Sequence, residues 1–299
     1  MPWYELNSAD DTKLTELAER YQLHPLHVED ARSPDEGIKV DQTPHYTFAV
    51  LKPVRMVPPP PGSTGIEEIS FSTIDIFAGS HHGEPFFITI ADPDCPTTAE
   101  ALERARRDGA SDQPARLLYL ILDTVVDLYF PAIDYYDERL DELENRVLAE
   151  PHPGTLRSVF ALKRELIELR RVLVGTRDAT LHLQRDPDSI IDAEHQPFVR
   201  DIYDHLVRLL DSVETQRDLL NNALDIYLSA VANRTNEVMK VLTVLGTIVT
   251  PAIAISGIYG MNLKGLPFED SPHGAAYAAG LIVATTVALL LWLRNRKWL

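Results

Sequence analysis

The chain has 299 residues, with 45 acidic and 28 basic side chains, a single cysteine and a formal net charge of −17. Residues 239–299 carry five basic and two acidic side chains, so the first 238 residues form a body of net −20 ahead of a tail of net +3. Such a body, with no dense Lys/Arg cluster, repels phosphate backbones and excludes nucleic-acid partners, while Cys95 alone supports neither an internal disulfide nor a Cys-x-x-Cys metal or redox site.

The opening residues lack a charged-then-apolar leader, so no signal peptide is expected and membrane targeting falls to the tail. Residues 1–113 read as an α/β module. Thr12–Tyr21 and Thr98–Arg107 have helical periodicity, whereas Thr47–Val54, Glu68–Phe77 and Pro85–Ile90 read as strands. Pro58–Pro61, unable to donate ladder hydrogen bonds, is expected in a hairpin loop, and His81-His82 in a solvent-exposed turn.

Residues 114–186 read as an antiparallel helical hairpin: Arg116–Glu150, kinked at Pro131, then Thr155–Gln184 after the breaker Pro151-His152-Pro153-Gly154. Its tip is acidic in the run Asp134, Asp137, Glu138, Asp141, Glu142 and Glu144, a solvated face or a cation-concentrating one. No proline interrupts Phe198–Ile258 before Pro251, which predicts one very long helix: a cytoplasmic stalk over 187–238 continuing into a first membrane span over 239–259. Self-association around an axis is the economical way to cover such a helix.

Val241–Tyr259 and Ala275–Leu293 are each uncharged and about 28 Å long as helices, close to the hydrocarbon thickness of a bilayer. They predict two transmembrane helices joined by a loop over 260–274, with a second span over 275–293 and a basic terminus over 294–299. Arg234 and Lys240 before the first span, and Arg294, Arg296 and Lys297 after the second, put both termini in the cytoplasm by the positive-inside rule.

Stepping along the long helix by fours and threes gives Asp225, Ser229, Ala232, Asn236, Met239, Thr243, Gly246, Thr250, Ile253, Gly257 and Gly260. This stripe is small or polar through most of the bilayer, as a water-lined pore requires, although small residues also suit tight helix packing. Met239 and Leu242 would form an apolar ring near the inner mouth that gates by dewetting. Pro251 should loosen or kink the span by leaving the carbonyl near Thr247 without its helical donor.

Tyr259-Gly260-Met261-Asn262 closes that span, with Thr235-Asn236-Glu237-Val238-Met239-Lys240 upstream and Arg296-Lys297-Trp298-Leu299 ending the chain. His24-Pro25-Leu26 with Glu29-Asp30, Leu117-Leu118-Tyr119 through Tyr129-Phe130, and Arg200-Asp201-Ile202-Tyr203-Asp204-His205 extend the pattern over essentially the whole sequence. The chain thus resembles the CorA magnesium transporters. The resemblance implies an α+β membrane protein of the cell inner (plasma) membrane, assembled as a homopentameric funnel, with divalent cations and the lipid bilayer as its other partners. It implies that Gly260, Met261 and Asn262 form an outer selectivity ring, that Asn236, Met239 and Leu242 line the inner pore, and that Asp225 lies on the cytoplasmic axis. Asp30 and Asp201 match carboxylates of an intersubunit sensing site, with Glu29 and Asp123 nearby, so that Mg2+ is both cargo and regulator and no organic cofactor is needed.

Two departures stand out: Ile253 occupies a pore position where some relatives have a hydroxyl, and Lys264 makes the outer loop less acidic at its start. No Gly-rich phosphate loop, His-Glu-x-x-His or Gly-x-Ser-x-Gly occurs, so ATP-driven pumping and the familiar hydrolase chemistries lack residues. A cobalt, nickel or zinc transporter of the same fold, or a non-conducting membrane-anchored cation sensor or scaffold, are the competing readings.

Overall fold

A computed structural model of the chain describes residues 1–7, 10–33, 36–57, 68–92, 95–107, 109, 112–149, 152–186, 189–261, 267 and 272–296. They divide into two compact units, Met1–Leu224 and Asp225–Leu299.

The first unit is built on a five-stranded sheet in the order β1-β7-β6-β3-β2, from β1 (Trp3–Asn7), β2 (Lys39–Gln42), β3 (Tyr46–Leu51), β6 (Ile74–His81) and β7 (Glu84–Ala91). β1 runs parallel to β7 and the other pairs are antiparallel. Both faces are buried, which is why β3 is apolar without alternation. Phe48, Phe77, Ile88 and Ile90 face α1 (Asp11–Tyr21) and α2 (Pro25–Asp30), packing with Leu14, Leu17 and Val28. Ala49, Ile74, Ile76 and Phe87 belong to the larger core on the other face, with α3 (Pro96–Arg107), α4 (Pro114–Asp127), α5 (Tyr129–Ala149), α6 (Pro153–Arg185) and the first turns of α7 (Gln196–Gly260). Each fully buried Leu or Phe here contributes about 1.5–3 kcal/mol relative to exposure.

Two expected strands are each divided. Thr47–Val54 becomes β3 and β4 (Val54–Val57), and Glu68–Phe77 becomes β5 (Glu68–Phe71) and β6. The register explains it: Leu51 opposes Ile74 and Val54 opposes Phe71, so β4-β5 continues the β3-β6 pairing as a separate two-stranded ribbon. Pro53 cannot donate to the ladder, and its carbonyl accepts from Ser72 N at 3.1 Å at the corner between the ribbons. The Pro58–Pro61 loop lies outside the described residues. At the β6-β7 hairpin His82 and Gly83 have φ of 52° and 84°, the primed-turn geometry that joins antiparallel strands in two residues, with His82 exposed.

The first arm of the helical hairpin breaks between α4 and α5, at Leu128, three residues before Pro131. A proline ring clashes with the carbonyl four residues earlier, here Asp127, so the interruption falls upstream of the proline itself. Trp3–Asn7, Lys39–Gln42 and the short α2 carry no clear periodicity and were not expected as elements. In the second unit α7 continues without interruption past Pro251 to Gly260, and α8 (Gly274–Asn295) follows. Both are long and apolar enough to cross a membrane.

Candidate cation path and sensing residues

On α7 of the second unit, the covered positions are Tyr227 and Ala230 near its start and then Val244, Thr247, Ile248, Pro251, Ala252, Ile255 and Tyr259. They recur at three- and four-residue spacing along one side of the helix. The opposite side is open: Asp225, Asn236, Met239, Leu242, Thr243, Gly246, Thr250, Ile253, Gly257 and Gly260 are all exposed in a single chain. Apolar members of this face are bare as well, Leu242 at 62% and Ile253 at 64%. A Cβ added at Gly246, Gly257 or Gly260 would meet nothing among the described residues, so none of these requires glycine there.

The hydroxyls of Thr243 and Thr250 donate to the carbonyls one turn back, Met239 O at 2.7 Å and Gly246 O at 2.6 Å, and Thr247 does the same to Thr243 O at 2.7 Å. Such bonds satisfy the hydroxyl proton within the helix. Met261 is exposed just beyond the helix end, while Asn262, Lys264, Glu269 and Asp270 lie outside the described residues.

The four candidate metal-binding acids fall into two neighbourhoods of the first unit. Glu29 and Asp30 end α2, whose start is fixed by the His-Pro-Leu segment: His24 caps it by accepting from Leu26 N at 3.3 Å, and Pro25 occupies the first turn. The Tyr46 hydroxyl anchors this turn, accepting from His24 N at 2.8 Å and lying 2.9 Å from His27 Nδ1. Glu29 is exposed, whereas Asp30 accepts from Lys39 Nζ at 2.7 Å, and the same ammonium donates to Glu36 at 2.9 Å.

Asp123 on α4 is 8% exposed and takes a hydrogen bond from Arg104 Nη2 of α3, whose Nη1 reaches Thr124 at 3.1 Å and Asp127 at 3.4 Å. Burial, with Asp123 beside it, raises the Asp127 carboxyl above the usual carboxylate range. Asp201 on α7 has a side chain 68% exposed, 3.7 Å from His205 Nε2. Asp123 and Asp201 both act on Tyr119, whose hydroxyl is pushed up by burial first and then by these carboxylates. Among the described residues no three His, Cys, Asp or Glu side chains of one chain converge on a metal position. Exposed Glu29 and Asp201 suit an ion that keeps most of its waters and takes one or two carboxylates. Asp30 would first have to share its oxygens with Lys39.

Sequence reasoning passed over Lys39, Arg104 and Asp75. The last sits in the predicted strand Glu68–Phe77, where an acid at an inward position of the alternation was the available signal.

A family model described as CorA-like Mg2+ transporter protein matches residues 1–296. The "Cobalt/magnesium transport protein CorA" of Thermotoga maritima is 32% identical over 301 residues, covering 99% of this chain and 83% of the relative. The "Putative metal ion transporter YfjQ" of Bacillus subtilis is 31% identical, covering 99% of this chain and 89% of its own length. Among solved structures, the complete CorA magnesium transporter of Methanocaldococcus jannaschii superposes with a TM-score of 0.80 at 23% identity, over 99% of this chain and 91% of that one, a likeness of fold.

Proposed function

This chain belongs to the CorA-like Mg2+ transporter family, a family of divalent-cation transporters rather than enzymes, and from that premise we propose that it mediates potential-driven influx of hydrated Mg2+ as a homopentamer. The observation that carries the reading is the uncovered stripe of α7. A helix with one side laid against its own chain and a small, hydroxyl-bearing side left open through its apolar length calls for copies of itself around a water-filled axis.

The outer ring is assigned to Asn262 with Gly260 and Met261. Neutral carboxamide and carbonyl oxygens accept hydrogen bonds from the ion's waters without stripping them, whereas carboxylates would hold a divalent ion too tightly for throughput. Asn236, Met239 and Leu242 line the inner end, and Asp225, Thr243, Gly246, Thr250, Ile253 and Gly257 complete the path. An inward-negative potential supplies about 4.6 kcal/mol per divalent ion per 100 mV, which suffices without ATP. The chain sits in the plasma membrane with both termini cytoplasmic, a reading supported by the basic residues flanking its two apolar spans. Asp30 and Asp201 of neighbouring chains, supported by Glu29 and Asp123, bind the regulatory cation; its occupancy offsets their mutual repulsion and holds the closed state.

Purified protein in proteoliposomes, with a trapped magnesium-sensitive dye and an imposed inside-negative potential, tests this. Uptake should rise with the potential and collapse in Asn262→Ala, and Asp201→Asn should shift inhibition by cytoplasmic-side Mg2+ to higher concentration. Absence of flux from folded, correctly inserted oligomer at low Mg2+ would favour a sensor or scaffold. Co2+ is the competitor to add first, since the Thermotoga relative is named for both ions.

A further inference from the structure

Asp75 is out of place. It lies in the middle of β6, opposite Val50 of β3 and Ile90 of β7, in the apolar face that packs under α1 and α2. The residue is 5% exposed and its Oδ1 has no hydrogen-bond partner among the described residues. An acid in such a position is costly unless something pairs with it, and an orphaned buried oxygen in a native fold points to a water or an ion.

The surroundings narrow the choice. Asp75 lines a cavity of about 380 Å³ together with Ser33, Thr73 and Asp92. Arg32 also borders it, but its guanidinium is engaged by Asp11 at 2.7 Å and Thr15 at 2.9 Å. Burial pushes the Asp75 carboxyl up to about 7, with Glu36 and Asp30 adding to the rise against Lys39 and Lys52, so the ionised form is held there only with a positive partner beside it. At about 30 Å³ of liquid volume per water, six waters occupy roughly 180 Å³, and the cavity has room for an ion that keeps most of its shell.

We propose that this cavity is a divalent-cation site contained within one chain, with Asp75 and Asp92 as its carboxylates and the Thr73 and Ser33 hydroxyls receiving the ion's waters. One or two carboxylates plus retained waters is the coordination that Mg2+ accepts. The site shares no residue with the intersubunit acids or the α7 stripe, and it stands whether or not the chain conducts.

The test counts ions rather than flux. Full-length protein in detergent, carrying Asp30→Asn and Asp201→Asn to silence the intersubunit acids, is titrated with Mn2+ while electron paramagnetic resonance reports the free ion. Adding Asp75→Asn should remove about one bound Mn2+ per chain, and Asp92→Asn in its place should weaken that ion at least tenfold. Mg2+ should displace it. An unchanged count in Asp75→Asn with a native circular dichroism spectrum overturns the proposal. Should that variant misfold, Asp92→Asn decides: this residue is exposed, so its substitution leaves the core intact, and unchanged affinity there refutes the site.

Discussion

Replacing Arg104 by Met strands the Asp123 carboxylate, 8% exposed, with no cation to face it. Breaking a fully buried ion pair in this way costs about 3–5 kcal/mol, whereas an exposed pair is worth at most about 1 kcal/mol. The Arg104 side chain is 27% exposed and its second contact, to Asp127, is long at 3.4 Å, so the loss should lie between these limits, roughly 2–3 kcal/mol. At the lower end of the usual relation between free energy and melting temperature, that lowers the melting point of the detergent-solubilised chain by about 4–6 °C. Converting Asp123 to Leu in the same molecule removes the stranded charge and should restore at least half of the loss, a coupling of more than about 1 kcal/mol in the double-mutant cycle. A melt unmoved by Arg104→Met, or losses that simply add in the double variant, would refute the pairing. It would also free Asp123 for the regulatory cation site proposed above.

Gly79→Ala should destabilise by about 1–3 kcal/mol, because a Cβ there falls on the His45 carbonyl and the Tyr46 backbone of the adjoining strand; urea melts read the loss. Tyr129→Phe should cost about 1–2 kcal/mol in the same assay, since the buried hydroxyl donates to the Lys52 carbonyl at 2.8 Å and nothing replaces it. Glu214 bridges α7 to Arg170 of α6 and also pairs with Arg217, and these partners hold its carboxyl below the usual glutamate value. Its contribution is therefore present above the unfolded value and lost as pH falls through the depressed folded one. Glu214→Gln should narrow the gap between melting temperatures at neutral pH and at about pH 3.5, below the ordinary glutamate value.

The long-range plan was legible because its signals are long. Sixty-one residues of helical periodicity and two uncharged spans cannot average away, and the expected Phe198–Ile258 falls within the observed Gln196–Gly260. Where interactions are non-local the signal failed. Trp3–Asn7 is a strand because β7, more than eighty residues away, offers it an edge, and no local pattern records that. The corner at Pro53 and Ser72 was hidden because apolar alternation runs straight through it, although a proline inside a strand run is itself a warning. Which small and polar residues share one face of α7 was readable from spacing alone. Lys39 beside Asp30 and Arg104 beside Asp123 were not, since β2 and α3 reach those acids only through the fold.

The threonines of α7 have a consequence for the sign of charge they tolerate. Each hydroxyl owns one proton, and in Thr243, Thr247 and Thr250 that proton is committed to the helix's own backbone. What Thr243 and Thr250 then present outward is lone pairs only. A water bound to a cation turns its hydrogens away from the ion and finds acceptors waiting; the shell of an anion presents oxygens and finds no donor. In the proposed pore, such a surface would discriminate against chloride and phosphate without carrying any charge of its own, at a depth where a fixed carboxylate would be expensive to bury.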